Sequence, residues 1–308
     1  MKLSFEVWPN MPYGERANVG PVVNSWGAKS IPECMRAVAG HGYQGVDFVF
    51  DKLLEVPDDA WPAAAAEIRD LSAELRLPVV SVGAHTLSIS PRPWDRQAGQ
   101  AAFHKAIERA ADIGASTVIS FVRGGYYNPP TYNVLPYREA WNNCVEVYRT
   151  AADYAADHGI TVSLEMLQES FANDVDRTLA LLSDINRDNL YVTADFGCLT
   201  LAIKPHMEID EAIRKLGDRL NHAHCKDVTG VIGDWAMCWF GGGIVNFREV
   251  FAALHRNRYK GFVAVEWEGW FRGGPGGRGE PGGAGLQDFD RVAVEAKEFL
   301  QPYLAGLV

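Results

Sequence analysis

The stretch Leu220-Asn-His-Ala-His-Cys-Lys-Asp-Val228 decides how we expect the chain to fold. It carries two histidines at positions i and i+2, and neither a helix cap nor helical apolar spacing surrounds them. In an extended strand, alternate side chains point to opposite faces, so His222, His224 and Lys226 would share one face. The stretch therefore predicts a strand with one polar face.

Three further apolar runs end in a carboxylate residue. They are Val162-Ser-Leu-Glu165, Tyr191-Val-Thr-Ala-Asp195 and Phe262-Val-Ala-Val-Glu266. Together with His224, these strand ends supply two glutamates, one aspartate and one histidine. Carboxylate oxygens and an imidazole nitrogen are donors typical of a divalent-metal site.

Apolar strand patterns alternate with amphipathic helix patterns along the whole chain. The eight predicted strands span residues 3–8, 45–50, 78–85, 116–122, 162–165, 191–195, 220–228 and 261–268. Such alternation predicts a parallel sheet, and eight strand–helix units predict a closed (β/α)8 TIM barrel with its active site at the C-terminal face of the strands. A doubly wound open sheet is the alternative, but no predicted strand leads directly into a helix through a GxGxxG turn.

The length and composition are consistent with one domain. The chain has 308 residues, 47% of them hydrophobic, which is enough to bury a large core. Because α/β barrels of this length are commonly single domains, we expect one domain over residues 1–308. The Gly/Pro-rich segment 273–285 precedes the closing helix, and it could form a lid, a phosphate-binding nest or a surface loop.

The charge and the cysteines indicate where the protein acts. A formal net charge of −10 argues against a nucleic-acid or membrane-surface partner, because phosphate groups are bound by basic faces. Five cysteines, odd in number and without CxxC spacing, indicate a reducing compartment. Since a charge follows the first residue and no apolar run approaches membrane-spanning length, we expect a soluble cytoplasmic protein.

The four strand-end residues would meet at one mouth of such a barrel. Singly, a carboxylate at a strand end is commonly a helix cap, and a lone histidine is commonly a core residue. Glu165, Asp195, His224 and Glu266 instead end four consecutive strands, each after an apolar run. Buried carboxylates are costly unless they are paired or bind a metal, so the pattern favours a metal site.

These residues lie in motifs that resemble the xylose isomerase-like barrels, which include sugar and sugar-phosphate isomerases and epimerases. The resemblance implies a divalent cation held by Glu165, Asp195, His224 and Glu266, with Mn²⁺ the most usual ion and Mg²⁺ or Co²⁺ as alternatives. The motifs are Ser163-Leu-Glu-Met-Leu-Gln168, Asp195-Phe-Gly, His222-Ala-His-Cys-Lys-Asp227 and Gly243-Ile-Val-Asn-Phe-Arg-Glu-Val-Phe251, followed by Gly261-Phe-Val-Ala-Val-Glu266.

The implied chemistry is proton transfer beside a carbonyl of a carbohydrate or polyol. A metal that chelates the carbonyl and a neighbouring hydroxyl acidifies the adjacent C–H bond. Glu165 and Glu266 would flank the sugar and exchange that proton, one from each face, through an enediolate. Return of the proton to the opposite face gives an epimerase, and return to the neighbouring carbon gives an isomerase.

Two departures from the family pattern favour an alternative, a metal-dependent lyase acting on an oxo-sugar or inosose. Ketose 3-epimerases of the family typically have Asp-x-x-His at the sixth strand, whereas the similar position of this chain has Asp195-Phe-Gly-Cys198. They also typically have an arginine six residues after the ligand histidine, where this chain has Gly230. The pattern of His224, Lys226 and Asp227 is more similar to inosose dehydratases. Such a lyase would be of the dehydratase or the 3-oxo-C-glycoside deglycosidase type.

Four further residues are candidates for substrate binding. Lys226 shares the face of His224 and could hold an oxyanion or phosphate, or form a salt bridge at the rim. His85 ends the third predicted strand, and Glu268 lies on the same strand face as Glu266. Trp267 offers an aromatic face to a sugar, although barrel packing is its other explanation. His222, two residues before His224, is expected to lie deeper and to support the ligand.

Two other functions are compatible with a barrel of this kind. A non-catalytic sugar-binding barrel would not require two potential bases such as Glu165 and Glu266. An abasic-site endonuclease shares the barrel, but the acidic balance and the scarcity of histidine ligands argue against it. The resemblance also implies a homo-oligomer, either a dimer or a tetramer.

Overall fold

Eight parallel strands close into a barrel in the computed structural model, which confirms the predicted (β/α)8 fold. Each strand pairs with its neighbours along the chain, and the first closes against the last in a register that pairs Lys2 with Phe262 and Phe5 with Val265. The strands are β1 Lys2–Val7, β2 Gly45–Val49, β3 Val79–Gly83, β4 Thr117–Ser120, β5 Thr161–Glu165, β6 Leu190–Asp195, β7 Leu220–Cys225 and β8 Phe262–Val265.

The structure describes most of the chain. The described residues are 1–10, 23–121, 135–167, 170, 173–202, 207–232, 234–267, 272–273 and 286–306. Of the predicted segment 273–285, only Gly273 is among the described residues. In the described part of the chain, no helix is long and apolar enough to cross a membrane.

Helices surround the barrel. The first begins with a capping box, in which the Ser30 hydroxyl accepts the backbone N–H of Glu33 and the Glu33 carboxylate accepts that of Ser30. The helices are α1 Ile31–Gly40, α2 Phe50–Leu54, α3 Trp61–Leu75, α4 Pro93–Asp112, α5 Tyr137–Asp157, α6 Val175–Ile185, α7 Phe196–Ala202, α8 Ile209–Leu216, α9 Phe247–Arg256 and α10 Phe289–Leu304, with a 3-10 turn at Gly217–Arg219.

Strand alternation separates an apolar layer from a polar interior. On β1, Phe5 points outward, and its ring centroid lies 5.1 Å from that of Trp26 and 5.8 Å from that of Phe289 on α10. Ser4 and Glu6 occupy the alternate positions and are also buried. The core between strands and helices is therefore hydrophobic, whereas the barrel interior carries the polar side chains from which a site can be built.

The predicted strand 220–228 does not continue as one strand. The barrel strand ends at Cys225, and Asp227–Val231 pairs instead with Asp234–Cys238 in an antiparallel hairpin, to which Arg272–Gly273 adds. The alternating pattern runs unbroken through this stretch, so periodicity alone does not show where the chain leaves the barrel. A second small sheet pairs Val23–Asn24 with Leu286–Gln287.

Candidate active site

Four side chains converge at the C-terminal mouth of the barrel. Glu165 and Asp195 end β5 and β6, His224 lies on β7, and Glu266 directly follows β8. In the parallel register His224 pairs with Asp195 on one side and with Ala264 of β8, two residues before Glu266, on the other. Each is buried, and one potential ligand atom of each lies within 4.8 Å of the others.

The distances within the cluster suit a single metal ion. The Nδ1 atom of His224 lies 2.9 Å from Oε1 of Glu165 and 3.1 Å from Oε2 of Glu266. Donors that are adjacent in an octahedral shell with bonds of about 2.1 Å are separated by roughly 3 Å. Three carboxylates with one imidazole suit Mn²⁺, Mg²⁺ or Co²⁺, whereas a structural Zn²⁺ site commonly includes thiolates.

The charges of the cluster also fit a dication. Burial lowers the pKa of His224, but the carboxylates of Glu165 and Glu266 outweigh burial and raise that pKa well above its usual value. Burial raises the pKa of Asp195 to about 7, with Glu266 adding to the rise and Lys226 opposing it. The buried carboxylates therefore repel one another, and a divalent cation among them would relieve that repulsion.

Lys226 is part of the same cluster. Its Nζ lies 2.6 Å from Oδ2 of Asp195 and 2.8 Å from Oε1 of Glu266. The second oxygen of Asp195 accepts the backbone N–H of Cys198, in the first turn of α7, at 2.8 Å. One lysine charge against three carboxylates leaves two negative charges, which a dication would balance. The substrate-binding role predicted for Lys226 stays a prediction.

His222 lies deeper in the barrel. Its Nε2 is 3.3 Å from Oδ1 of Asp47, and its ring meets that of His224 edge-on at 5.2 Å. Asp47 also accepts the hydroxyl of Ser81 at 2.6 Å, and burial raises its pKa to about 6. This arrangement is compatible with the supporting role expected for His222 beneath the ligand histidine.

The other predicted substrate-binding residues are placed differently. His85 follows β3 and is half-buried, with its ring centroid 4.4 Å from that of Phe121. Trp267 is 1% exposed and meets Trp239 edge-to-face at 5.0 Å. Glu268 lies outside the described residues. The substrate-binding roles of all three stay predictions.

Glu6 is a carboxyl group of the site that the sequence did not single out. It lies on β1 at the level of Glu266, one residue beyond the pair formed by Phe5 and Val265. Burial raises its pKa well above the usual value, Glu266 adds to the rise, and His224 opposes it. The sequence offers one signal for Glu6. It lies two residues after Ser4, so strand alternation places both side chains on the inward face of the first strand.

Asp227 is a second residue whose position the sequence did not explain. Its carboxylate accepts four backbone N–H groups, at 2.9 to 3.2 Å, from Val228, Gly241, Gly243 and Val245. It thereby ties the loop after the hairpin to the end of β7, next to Lys226. The His-x-Lys-Asp pattern marks this residue without indicating what it binds.

The fold and the strand-end cluster agree with a comparison against known families. A family model described as xylose isomerase-like TIM barrel matches residues 35–292. The chain belongs to the xylose isomerase-like TIM barrel family. Most of the barrel, including β5 to β8, falls within the matched range.

Relatives within this family include sugar epimerases. The chain is 29% identical over 271 residues to an L-ribulose 3-epimerase from Methylomonas sp. (strain DH-1), covering 83% of this chain and 86% of that protein. It is 25% identical over 251 residues to a fructoselysine 3-epimerase from Shigella flexneri, covering 77% and 84%. A crystal structure of D-psicose 3-epimerase in the presence of D-fructose superposes with a TM-score of 0.71, at 22% identity, over 99% and 100% of the two chains, which shows a common fold.

Proposed function

We propose that the protein is a divalent-metal-dependent sugar epimerase or isomerase, which moves a proton next to the carbonyl of a ketose through an enediolate. The observation that carries the proposal is the convergence of Glu165, Asp195, His224 and Glu266 at one barrel mouth. The epimerase relatives support the reaction class. Mn²⁺ is the proposed ion, and Mg²⁺ and Co²⁺ fit the same donors.

The two glutamates are the proposed proton carriers. They come from β5 and from the end of β8, on either side of His224, so they approach the mouth from different directions. Burial works against the charged form of Glu165, but His224 outweighs it, and the pKa of the Glu165 carboxyl is lowered. Glu165 is therefore an ionised carboxylate that can accept a proton. The Nζ atom of Lys226 lies 2.8 Å from Oε1 of Glu266.

The metal would supply polarisation of the substrate carbonyl and would acidify the adjacent C–H bond. The residues of the chain would orient the sugar and hold the proton while the carbon inverts. General acid–base transfer of this kind contributes about 10² to 10⁴-fold to a rate. Burial of the cluster excludes water, which strengthens the electrostatic interactions within it.

A lyase on the same site is the alternative. It would begin with the same proton abstraction and then expel water or an aglycone from an oxo-sugar or inosose. Cys198 and Gly230, which replace residues typical of ketose 3-epimerases, favour this alternative. The epimerase relatives, which cover most of the chain, give the isomerase class greater support.

The test is isotope exchange with a defined substrate panel. Protein loaded with Mn²⁺ would be incubated in D₂O with D-fructose, D-psicose, L-ribulose, an inosose and a 3-oxo-C-glycoside, and the products analysed by NMR. We expect deuterium at an inverted or isomerised carbon of a ketose. Release of water or aglycone without a recovered sugar would instead establish the lyase.

Matched variants make this test specific. Glu165→Gln should abolish the exchange, whereas Glu67→Gln, at an exposed position on α3, should leave it unchanged. Undiminished turnover after removal of metal by a chelator would refute metal dependence. The absence of exchange and of elimination with every compound of the panel would refute the proposed reaction.

A further inference from the structure

A fourth carboxyl group, that of Glu6, faces the barrel mouth from β1, the strand that pairs with β8. Its side chain is 2% exposed. One of its oxygens, Oε2, accepts the indole N–H of Trp8 at 2.7 Å. Glu6 interacts electrostatically with Glu266, His224 and Glu165, so it lies close to the metal-binding cluster without being one of its four residues.

The other oxygen of Glu6 borders a gap above Gly83. A methyl group placed on Gly83 would lie 3.6 Å from Oε1 of Glu6 and 3.5 Å from Nε2 of His85. The two polar atoms therefore face the same small space, which exists because β3 ends in a residue without a side chain. A substrate hydroxyl packed against the backbone of Gly83 could approach both atoms.

A purely structural role explains Glu6 poorly. The net stabilisation from a hydrogen bond such as the one from Trp8 is smaller than the cost of burying a carboxylate. Oε2 accepts from Trp8, whereas Oε1 borders the gap above Gly83, where it can share a hydrogen bond with a hydroxyl group.

We propose that Glu6 is a further substrate-binding residue, which holds together with His85 a ketose hydroxyl in the gap above Gly83. The hydroxyl belongs to one of the carbons beyond the carbonyl and its reacting neighbour, because those two would lie at the metal-binding cluster, whereas the gap lies at the end of β3. This inference rests on the proposed function. It assigns Glu6 to substrate selection and leaves proton transfer to Glu165 and Glu266.

The first test compares two substitutions of Glu6. Glu6→Gln keeps an acceptor for Trp8 and a donor toward the gap, so it should retain the wild-type KM within about threefold. Glu6→Leu removes both and should raise KM for D-fructose about tenfold or more, with a smaller change in kcat, because one hydrogen bond to substrate is lost. Thermal unfolding of both variants shows whether they are folded.

The second test leaves Glu6 in place. Gly83→Ala would add a methyl group at ordinary van der Waals distance from its neighbours, so the fold should tolerate it. The methyl fills the gap, and KM should rise as in Glu6→Leu. The Mn²⁺ affinity, measured by calorimetric titration, should stay within about threefold of wild type in both variants, because neither changes a donor of the cluster.

Deoxygenated substrates separate binding from folding. The panel is the four monodeoxy-D-fructoses that lack the hydroxyl at carbon 1, 4, 5 or 6. For one of them, wild type and Glu6→Leu should have the same kcat/KM, because the hydroxyl that Glu6 holds is missing. A structural defect would lower kcat/KM for all of them alike.

The outcomes distinguish this inference from the proposed function. If wild type converts a ketose and Glu6→Leu matches it with every sugar, the inference is wrong and the proposed function stands. If Glu6→Leu is impaired equally with every deoxy sugar, Glu6 is structural and the inference is also wrong. If wild type converts no ketose, the proposed function fails, and the substrate role of Glu6 fails with it.

Discussion

The ammonium nitrogen of Lys226 lies 2.6 Å from a carboxylate oxygen of Asp195 and 2.8 Å from one of Glu266. A buried lysine thus contacts two of the four side chains that can hold a metal. In the metal-free protein it compensates part of their negative charge. A metal bound there would act on the same pair of carboxylates as the lysine, so the stability of the protein should depend on both.

Removal of the Lys226 charge is the first prediction. Lys226→Met leaves Asp195 and Glu266 buried without their cation, which typically destabilises a protein by about 3–5 kcal/mol. Urea unfolding in the presence of a chelator measures the change. Lys215→Met is the control, since Lys215 pairs with Asp176 at the surface and its loss should change the stability little. Equal stabilities of the two variants would contradict the prediction.

Metal binding is the second prediction. Saturation with Mn²⁺ at about 100 times its dissociation constant should stabilise the protein by about 2.7 kcal/mol. Asp195→Asn keeps the shape of the side chain and removes one charge from the cluster, so Mn²⁺ should bind at least tenfold more weakly. In metal sites generally, loss of an outer-shell partner alone typically weakens metal binding by about 10- to 100-fold. Asp153→Asn, at an exposed position on α5, should bind as wild type in the same calorimetric titration. Unchanged affinity in Asp195→Asn would exclude that residue as a ligand.

The pH dependence of stability gives the third prediction. Burial raises the pKa of Asp47 from 3.8 to about 6, so the folded protein holds this proton where the unfolded chain has released it. The stabilisation that the folded protein gains from the proton on Asp47 is complete below pH 3.8 and is lost as the pH rises through about 6. Asp47→Asn cannot ionise. Its stability relative to wild type should therefore improve by at most about 3 kcal/mol between roughly pH 4 and pH 7.

Urea unfolding across this pH range, with a chelator present, measures the Asp47 effect. Asp51→Asn, at an exposed position on α2, is the matched control and should follow the wild-type profile. A constant difference between wild type and Asp47→Asn at every pH would show that Asp47 does not titrate in this window.

The four N–H groups bound by Asp227 give the fourth prediction. Asp227→Ala leaves them without their acceptor, at about 1–3 kcal/mol for each group that stays buried and unsatisfied. Hydrogen exchange should therefore accelerate at Gly241, Gly243 and Val245. Asp234→Ala, an exposed position in the same hairpin, should not change these rates. Unaltered exchange in Asp227→Ala would assign the ordering of this loop to other contacts.

The meeting of the strand-end residues could be predicted because it depends on regular structure. Glu165, Asp195 and Glu266 each end an apolar run, and parallel strands of a barrel bring such ends to one mouth. His224 joins them because its strand alternates with period two. No loop conformation enters this inference, so the pattern of residues was sufficient.

The rest of the site depends on side-chain reach and on where strands stop. Lys226 lies beyond the end of β7, and only its long side chain returns it to Asp195. Asp227 lies just beyond the end of the barrel strand, although the alternating pattern continues through it. Its carboxylate binds backbone N–H groups of a loop that is distant in the sequence. The role proposed for Glu6 depends on the space above Gly83, and a sequence does not show which carboxyl group faces such a space.

Closure of the barrel has a consequence for how the protein matures. β8 fills the position between β7 and β1, and Glu266 follows it directly. A nascent chain that has emerged only as far as His224 has three of the four donors and two unpaired sheet edges. An ion that requires all four donors would therefore be bound at full affinity only after the ring is complete.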